Sequence, residues 1–270
     1  MRALLTSPLG FLIGLSLGAL GGGGSILAVP ALVYAAGQSS KQATTTSLVL
    51  VALTALIGIA PHWRAGRVRV KAGLMFGLAG VGGSLLGSHW NKTVDPDFLL
   101  LAFSGLMLIA AAAMWRRVSK TPVTQPLPQS VGAAAVASPA SSVHVDVSTV
   151  VKVLLAGSAV GLLTGFFGVG GGFVIVPALV LALRFDMCDA IGTSLLVITI
   201  NSVVALATRL NGGSIEWHTV IPFTVASLIG VVVGGRLSRT RDSGSLQRWF
   251  VILLVVVAVY TATRSGLALR

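Results

Sequence analysis

The stretch GALGGGGSILAVPALV at residues 18 to 33 returns as GFFGVGGGFVIVPALV at residues 165 to 180, a displacement of 147 positions (165 less 18). Without a gap, the same displacement carries Gly14 onto Gly161, Pro30 onto Pro177, Thr46-Ser47-Leu48 onto Thr193-Ser194-Leu195, Gly66 onto Gly213, Gly83 onto Gly230 and Gly87 onto Gly234. Two homologous halves must therefore build one molecule, and each half carries an apolar segment broken by glycines. In a hydrophobic chain this pairing points to a secondary transporter whose substrate site lies between the repeats.

The chain is hydrophobic enough for that reading. Only 10% of its residues are charged and 54% are hydrophobic, whereas soluble domains carry about 25% charged residues. Low-charge runs at 3 to 20, 43 to 61, 72 to 89, 98 to 115, 149 to 168, 190 to 208, 219 to 235 and 247 to 263 each approach the roughly 20 residues that a spanning helix needs. The runs at 26 to 37 and 173 to 183, which follow the glycine clusters, are too short to cross a bilayer alone and are expected to be half-helices. The predicted fold is all-α, a polytopic membrane protein of two inverted repeats, each with about four spanning helices and a glycine-broken half-helix. The first repeat spans 1 to 115 and the second 149 to 270. Between them, residues 116 to 148 hold Pro122, Pro126, Pro128 and Pro139 among Ser, Ala and Val, the composition of a flexible tether.

The amino-terminal run resembles a secretory leader, but its repeat partner at 157 to 165 lies deep in the chain, so it is expected to be a retained helix. Cys188 stands alone, which excludes an internal disulfide.

Loop charges set orientation, because short cytoplasmic loops collect Lys and Arg. The strongly basic loops are Arg64, Arg67, Arg69 and Lys71 in the first half and Arg236, Arg239, Arg241 and Arg248 in the second. They follow different segments of their halves, so both face the cytoplasm only if the halves are inverted. The tether then also lies inside and the termini outside. All seven acids, Asp95, Asp97, Asp146, Asp186, Asp189, Glu216 and Asp242, are expected in loops or the tether, which leaves no intramembrane carboxylate for a metal cation or a proton relay. The net charge of +12 largely restates the topology signal.

A glycine run exposes backbone N–H groups, and the half-helix after it turns its positive dipole end to the break. Such a break binds anions without cationic side chains. On this reading Gly22, Gly23, Gly24 and Ser25 in one half, and Gly170, Gly171 and Gly172 in the other, approach one oxyanion from opposite sides. Close helix packing is the alternative, and it is preferred for the spaced pairs Gly14/Gly18, Gly73/Gly77, Gly83/Gly87, Gly161/Gly165 and Gly230/Gly234. Thr46, Ser47, Thr193 and Ser194 are candidate hydroxyl donors to the anion or, equally, capping groups. Asn201 is expected to face the interior, on the substrate or on another helix. His62, Arg64 and Arg209 are candidates for gating, with interfacial anchoring beside Trp63, Trp90 and Trp217 the preferred reading.

The repeated GxGGG-x5-P-x-L-like segments at Gly21 to Leu32 and Gly168 to Leu179, A-x2-TSL at Ala43 to Leu48 and Ala190 to Leu195, and HWRAGRV at 62 to 68 together resemble the sulfite exporter TauE/SafE family, also called the 4-toluene sulfonate uptake permease family. The resemblance covers both halves. It implies a bacterial inner-membrane permease for sulfite, sulfonates or related small sulfur-containing anions; the paired repeats lead us to expect alternating access, the two halves rocking about the anion site. No enzymatic activity is expected, since HExxH, CxxC and haem-type histidine pairs are missing from the spans, and neither is a cofactor or metal. The expected partners are a small anionic substrate and the lipid bilayer, with no nucleic acid; a homodimer stays open. The competing reading is a non-transporting membrane scaffold or accessory subunit that keeps the permease fold.

Overall fold

A computed structural model of the chain describes residues 2–34, 37–38, 40–91, 96–120, 147–167, 172–207 and 217–268. The described residues form ten helices: α1 (Arg2–Leu20), α2 (Gly23–Tyr34), α3 (Ser40–Arg64), α4 (Val70–Asn91), α5 (Pro96–Lys120), α6 (Val147–Phe167), α7 (Gly172–Leu181), α8 (Met187–Ala207), α9 (Trp217–Thr240) and α10 (Ser243–Ala268). Moving the first five by 147 residues lands each on its counterpart, so both halves fold alike. The segments Thr45–Arg64, Val70–Gly87, Met187–Ala207, Val220–Thr240 and Ser243–Thr263 are long and apolar enough to cross a membrane; Pro8–Leu20, Val150–Phe166 and Gly172–Leu181 are apolar but shorter. The central part of the expected tether lies outside the described residues.

Spaced glycines decide which helices pack. A Cβ on Gly10, Gly14 or Gly18 of α1 would fall 2.7, 2.0 or 2.3 Å from the carbonyl oxygens of Phe223, Ser227 and Val231 on α9. Likewise a Cβ on Gly157, Gly161 or Gly165 of α6 would fall 2.7, 2.0 or 2.0 Å from those of Phe76, Gly80 and Ser84 on α4. The two series map onto each other under the 147-residue displacement. Such approach lets dispersion and weak polar contacts act between backbones, which is how apolar helices associate in lipid. The partners also cross between halves: the first helix of each half packs on the fourth helix of the other. Ser227 Oγ adds a hydrogen bond to Gly10 O at 2.8 Å.

Contact order along each pair gives direction. Gly58 meets Val231 and Pro61 meets Gly235, so α3 and α9 run the same way. Gly58 also meets Leu195, whereas His62 meets Gly192, so α3 and its counterpart α8 run in opposite directions. The ends of α3 and α9 consequently share one end of the molecule. The start of α8 joins them through Arg69, whose Nε and Nη2 lie 2.9 Å from Asp189 Oδ2. Asp189, expected in a loop, belongs to the first turn of α8, and α5 likewise begins at Pro96 and takes in Asp97. The start of α10 is tied to that of α8 by Ser243 Oγ, which accepts from Met187 N at 3.0 Å. The end of α5 arrives through Gln247 Nε2 donating to Met114 O at 3.0 Å, and through Arg117 donating to Val180 O. Arg64, Arg67, Arg69, Lys71, Arg116, Arg117, Arg236, Arg239, Arg241 and Arg248 all gather at this end.

Asp242 caps α10 there. Its Oδ2 accepts from Ser245 N at 2.8 Å and its carbonyl accepts from Leu246 N. The Ser245 hydrogen bonds hold the Asp242 carboxyl below the usual carboxylate range. A carboxylate with a lowered folded pKa stabilises above its unfolded value, and that stabilisation is lost as pH falls through the folded value. Asp242→Ala should lower stability by about 1 kcal/mol. The unfolding midpoint in detergent, followed at neutral pH and again at acidic pH where the two proteins should converge, checks this.

Candidate functional site

The first glycine break meets the start of α7 in the buried interior. Helix α1 ends at Leu20, where Gly21 N donates to Leu17 O at 2.8 Å. Gly21 adopts φ of 76°, a left-handed conformation that glycine takes without steric cost. Helix α2 then doubles back, so that a Cβ on Gly24 would lie 2.4 Å from Ile13 O and 2.8 Å from Leu17 Cβ. From the other half α7 begins at Gly172, and the two tips touch backbone to backbone. A Cβ on Gly22 would sit 1.5 Å from Gly172 O and 2.1 Å from its carbonyl carbon.

Two serine hydroxyls flank the contact. Ser25 Oγ donates to Gly22 O at 2.8 Å and lies 2.4 Å from the Cβ position of Gly172. Ser194 Oγ donates to Ile191 O at 2.8 Å and lies 2.5 Å from the Cβ position of Gly21. Gly21 through Ser25, Gly172 and Ser194 are all buried. Val176, Ile198 and Leu253 close in around them, and Phe173 meets Phe103 of α5 edge to face, ring centroids 4.8 Å apart. The first turns of α2 and α7 each leave backbone N–H groups without intrahelical acceptors, so two positive dipole ends converge at one apolar spot. In this arrangement Gly22 and Gly172 leave no space for an ion between them. An ion could enter only if the tips part and the serine hydroxyls turn from their own helices to the guest.

The structure thus brings Gly22, Ser25, Gly172 and Ser194 together, and adds Gly21, the first residue of the tetraglycine run. Gly23 instead faces the tip of the Leu253 side chain on α10, and Gly24 faces α1. Thr193 turns to α4, where its Oγ1 accepts from Arg69 N at 3.1 Å and its methyl lies against Gly73. Thr46 and Ser47 are buried near the start of α3. Asn201 packs against Gly80 of α4, its Oδ1 buried and unpartnered. His62 is wholly buried at the end of α3 while Arg64 is exposed. Gly170, Gly171 and Arg209 lie outside the described residues.

Ten packed helices, several long and apolar enough to span a bilayer, define a multi-pass membrane protein. Residues 7–261 match the family model described as sulfite exporter TauE/SafE. The chain belongs to that family and is a membrane transporter of its type. It is 34% identical over 274 residues to a "probable membrane transporter protein" of Xylella fastidiosa, covering 98% of this chain and 97% of that protein. Two Bacillus subtilis proteins are also similar. Probable membrane transporter protein YdhB is 25% identical over 229 residues, with 85% of this chain and 87% of the relative covered. Probable membrane transporter protein YunE is 23% identical over 268 residues, with 94% and 92% covered. No solved structure matches the chain.

Proposed function

We propose that this protein is a secondary transporter that carries sulfite, sulfonates or related small sulfur oxyanions across the bacterial inner membrane by alternating access. The contact of the first glycine break with the start of α7, flanked by Ser25 and Ser194, carries the proposal. An anion there would accept hydrogen bonds from two helix starts and two hydroxyls, replacing water without a full counter-charge. We read the opposite courses of α3 and α8 as inverted topology, with a first repeat over 1–115, a second over 149–270 and a cytoplasmic tether between them, of which 116–120 continue α5 and 147–148 open α6. The end that gathers the basic residues is then cytoplasmic. Rocking of the two halves about the crossing opens it to one side at a time. The family resemblance supports the choice of sulfur anions, and the shortage of intramembrane carboxylates fits an anion better than a cation.

Purified protein in proteoliposomes should take up labelled sulfite down an imposed gradient and leave sodium and potassium untouched. A hydrogen bond to a charged group contributes about 1.5–3 kcal/mol, so Ser25→Ala and Ser194→Ala should each lower sulfite flux about tenfold or more. Flux at the wild-type rate in both variants would place the substrate elsewhere, and no flux of any small anion would favour the scaffold reading. For orientation, Arg239→Cys in a Cys188→Ser background should react with a membrane-impermeant maleimide only from the cytoplasmic face.

A further inference from the structure

A second set of unsatisfied polar groups lies between the crossing and the basic end. His62 is 0% exposed and neither Nδ1 nor Nε2 has a hydrogen-bond partner. Its Cβ lies 3.0 Å from the Cβ position of Gly192, two residues before Ser194, and Arg67 O is 2.7 Å from the same point. The Gly18 backbone faces the ring without completing a bond, and the charges acting on the ring are the guanidinium groups of Arg67 and Arg239. The acid at the start of α8, Asp189, is engaged by Arg69. Nη1 of Arg67 is itself buried and unpartnered. Ser238, one turn past the Gly235 that packs on Pro61, is wholly buried with a hydroxyl that has no partner.

Buried polar atoms are nearly always hydrogen-bonded, so orphans at the end of α3, in its following loop and near the end of α9 ask for a partner. A guanidinium and a hydroxyl offer donors, while a neutral imidazole offers one N–H and one bare nitrogen. Among the described residues the charges that act on the His62 ring are both positive, which favours an anion beside it. The two ring nitrogens point away from each other, so a small anion meets one of them: an anion that keeps one proton donates it to the bare nitrogen while its oxygens accept from the Arg67 guanidinium and the Ser238 hydroxyl. We propose that His62, Arg67 and Ser238 form a holding site for a singly protonated small oxyanion of the hydrogensulfite type, on the basic-end side of the glycine crossing. The choice of ion rests on the transport reading above; the site itself rests on the unpaired groups.

Nitrogen NMR of the full chain in lipid nanodiscs, labelled at histidine, tests it with hydrogensulfite as the probe. The His62 signals are identified by their loss in His62→Gln. They should shift saturably with hydrogensulfite and stay in place with chloride at equal ionic strength. Arg67→Gln should weaken that response about tenfold or more, whereas Ser194→Ala should leave it intact. His62 signals that stay unmoved at concentrations saturating transport would overturn the site, as would an equal shift with chloride. If Ser25→Ala and Ser194→Ala transport normally while His62 still responds, the crossing fails as the substrate site and the holding site stands.

Discussion

Gly22→Ala is expected to abolish transport and to lower the yield of folded protein, although it adds a single methyl group. That methyl would lie 1.5 Å from Gly172 O and 2.8 Å from Phe173 N, and neither atom can swing aside as a side-chain tip can. Overpacking a core costs about 1–3 kcal/mol where side chains can adjust; here two helix starts would have to separate, which costs more. Gly23→Ala is the matched control. Its methyl would crowd Leu253 Cδ2, at 2.6 Å, with Leu20 and Phe250 at ordinary contact distances of 3.8 and 3.9 Å; the leucine side chain can turn away, and transport should stay within a few-fold of wild type. Initial sulfite flux, read beside the unfolding midpoint in detergent, separates the two. Wild-type behaviour of Gly22→Ala would mean that the tips do not touch in the working protein.

The second large effect falls on the spaced glycines. Gly14→Val and Gly161→Val should each prevent assembly of a stable monodisperse protein, because the added Cβ would sit 2.0 Å from Ser227 O in one case and 2.0 Å from Gly80 O in the other. Membrane helices have no hydrophobic drive to associate, so losing close backbone approach removes the main attraction between them. Gly82→Ala and Gly105→Ala should do no harm, since a Cβ at either position meets nothing within 4 Å. Each should gain up to about 1 kcal/mol from helix propensity. Size-exclusion profiles and unfolding midpoints of the four variants give the comparison, and equal behaviour of the two pairs would contradict the packing described.

Element order was readable from sequence because apolar length and glycine runs set helix ends directly. The half-helix expected over 26 to 37 already starts at Gly23, since glycines are tolerated in a first turn whose N–H groups need no intrahelical partner. The break narrows to Gly21 and Gly22. Azimuth was not readable. These helices are apolar on every side, so no polar stripe tells which way a residue faces. Thr193 and Ser194 are adjacent in sequence, yet one caps the approach to α4 and the other sits at the crossing. Gly24 stands beside Gly23 but turns to α1. For the same reason the helix-end position of His62 suggested an interfacial anchor, whereas the ring is enclosed by α1, α8 and α9. Nor does composition reveal that Arg67 is partly withdrawn from water while Arg64 three residues earlier is exposed.

The exchange of partners between halves bears on how the chain is made. The hydrogen bond from Ser227 to Gly10 joins residues 217 positions apart, so the surface of α1 that holds α9 has no mate until almost the whole polypeptide has left the ribosome. Until then lipid or an insertion factor must shelter it, and a ribosome stalled after the fifth helix would leave a fragment whose glycine-lined faces are still uncovered.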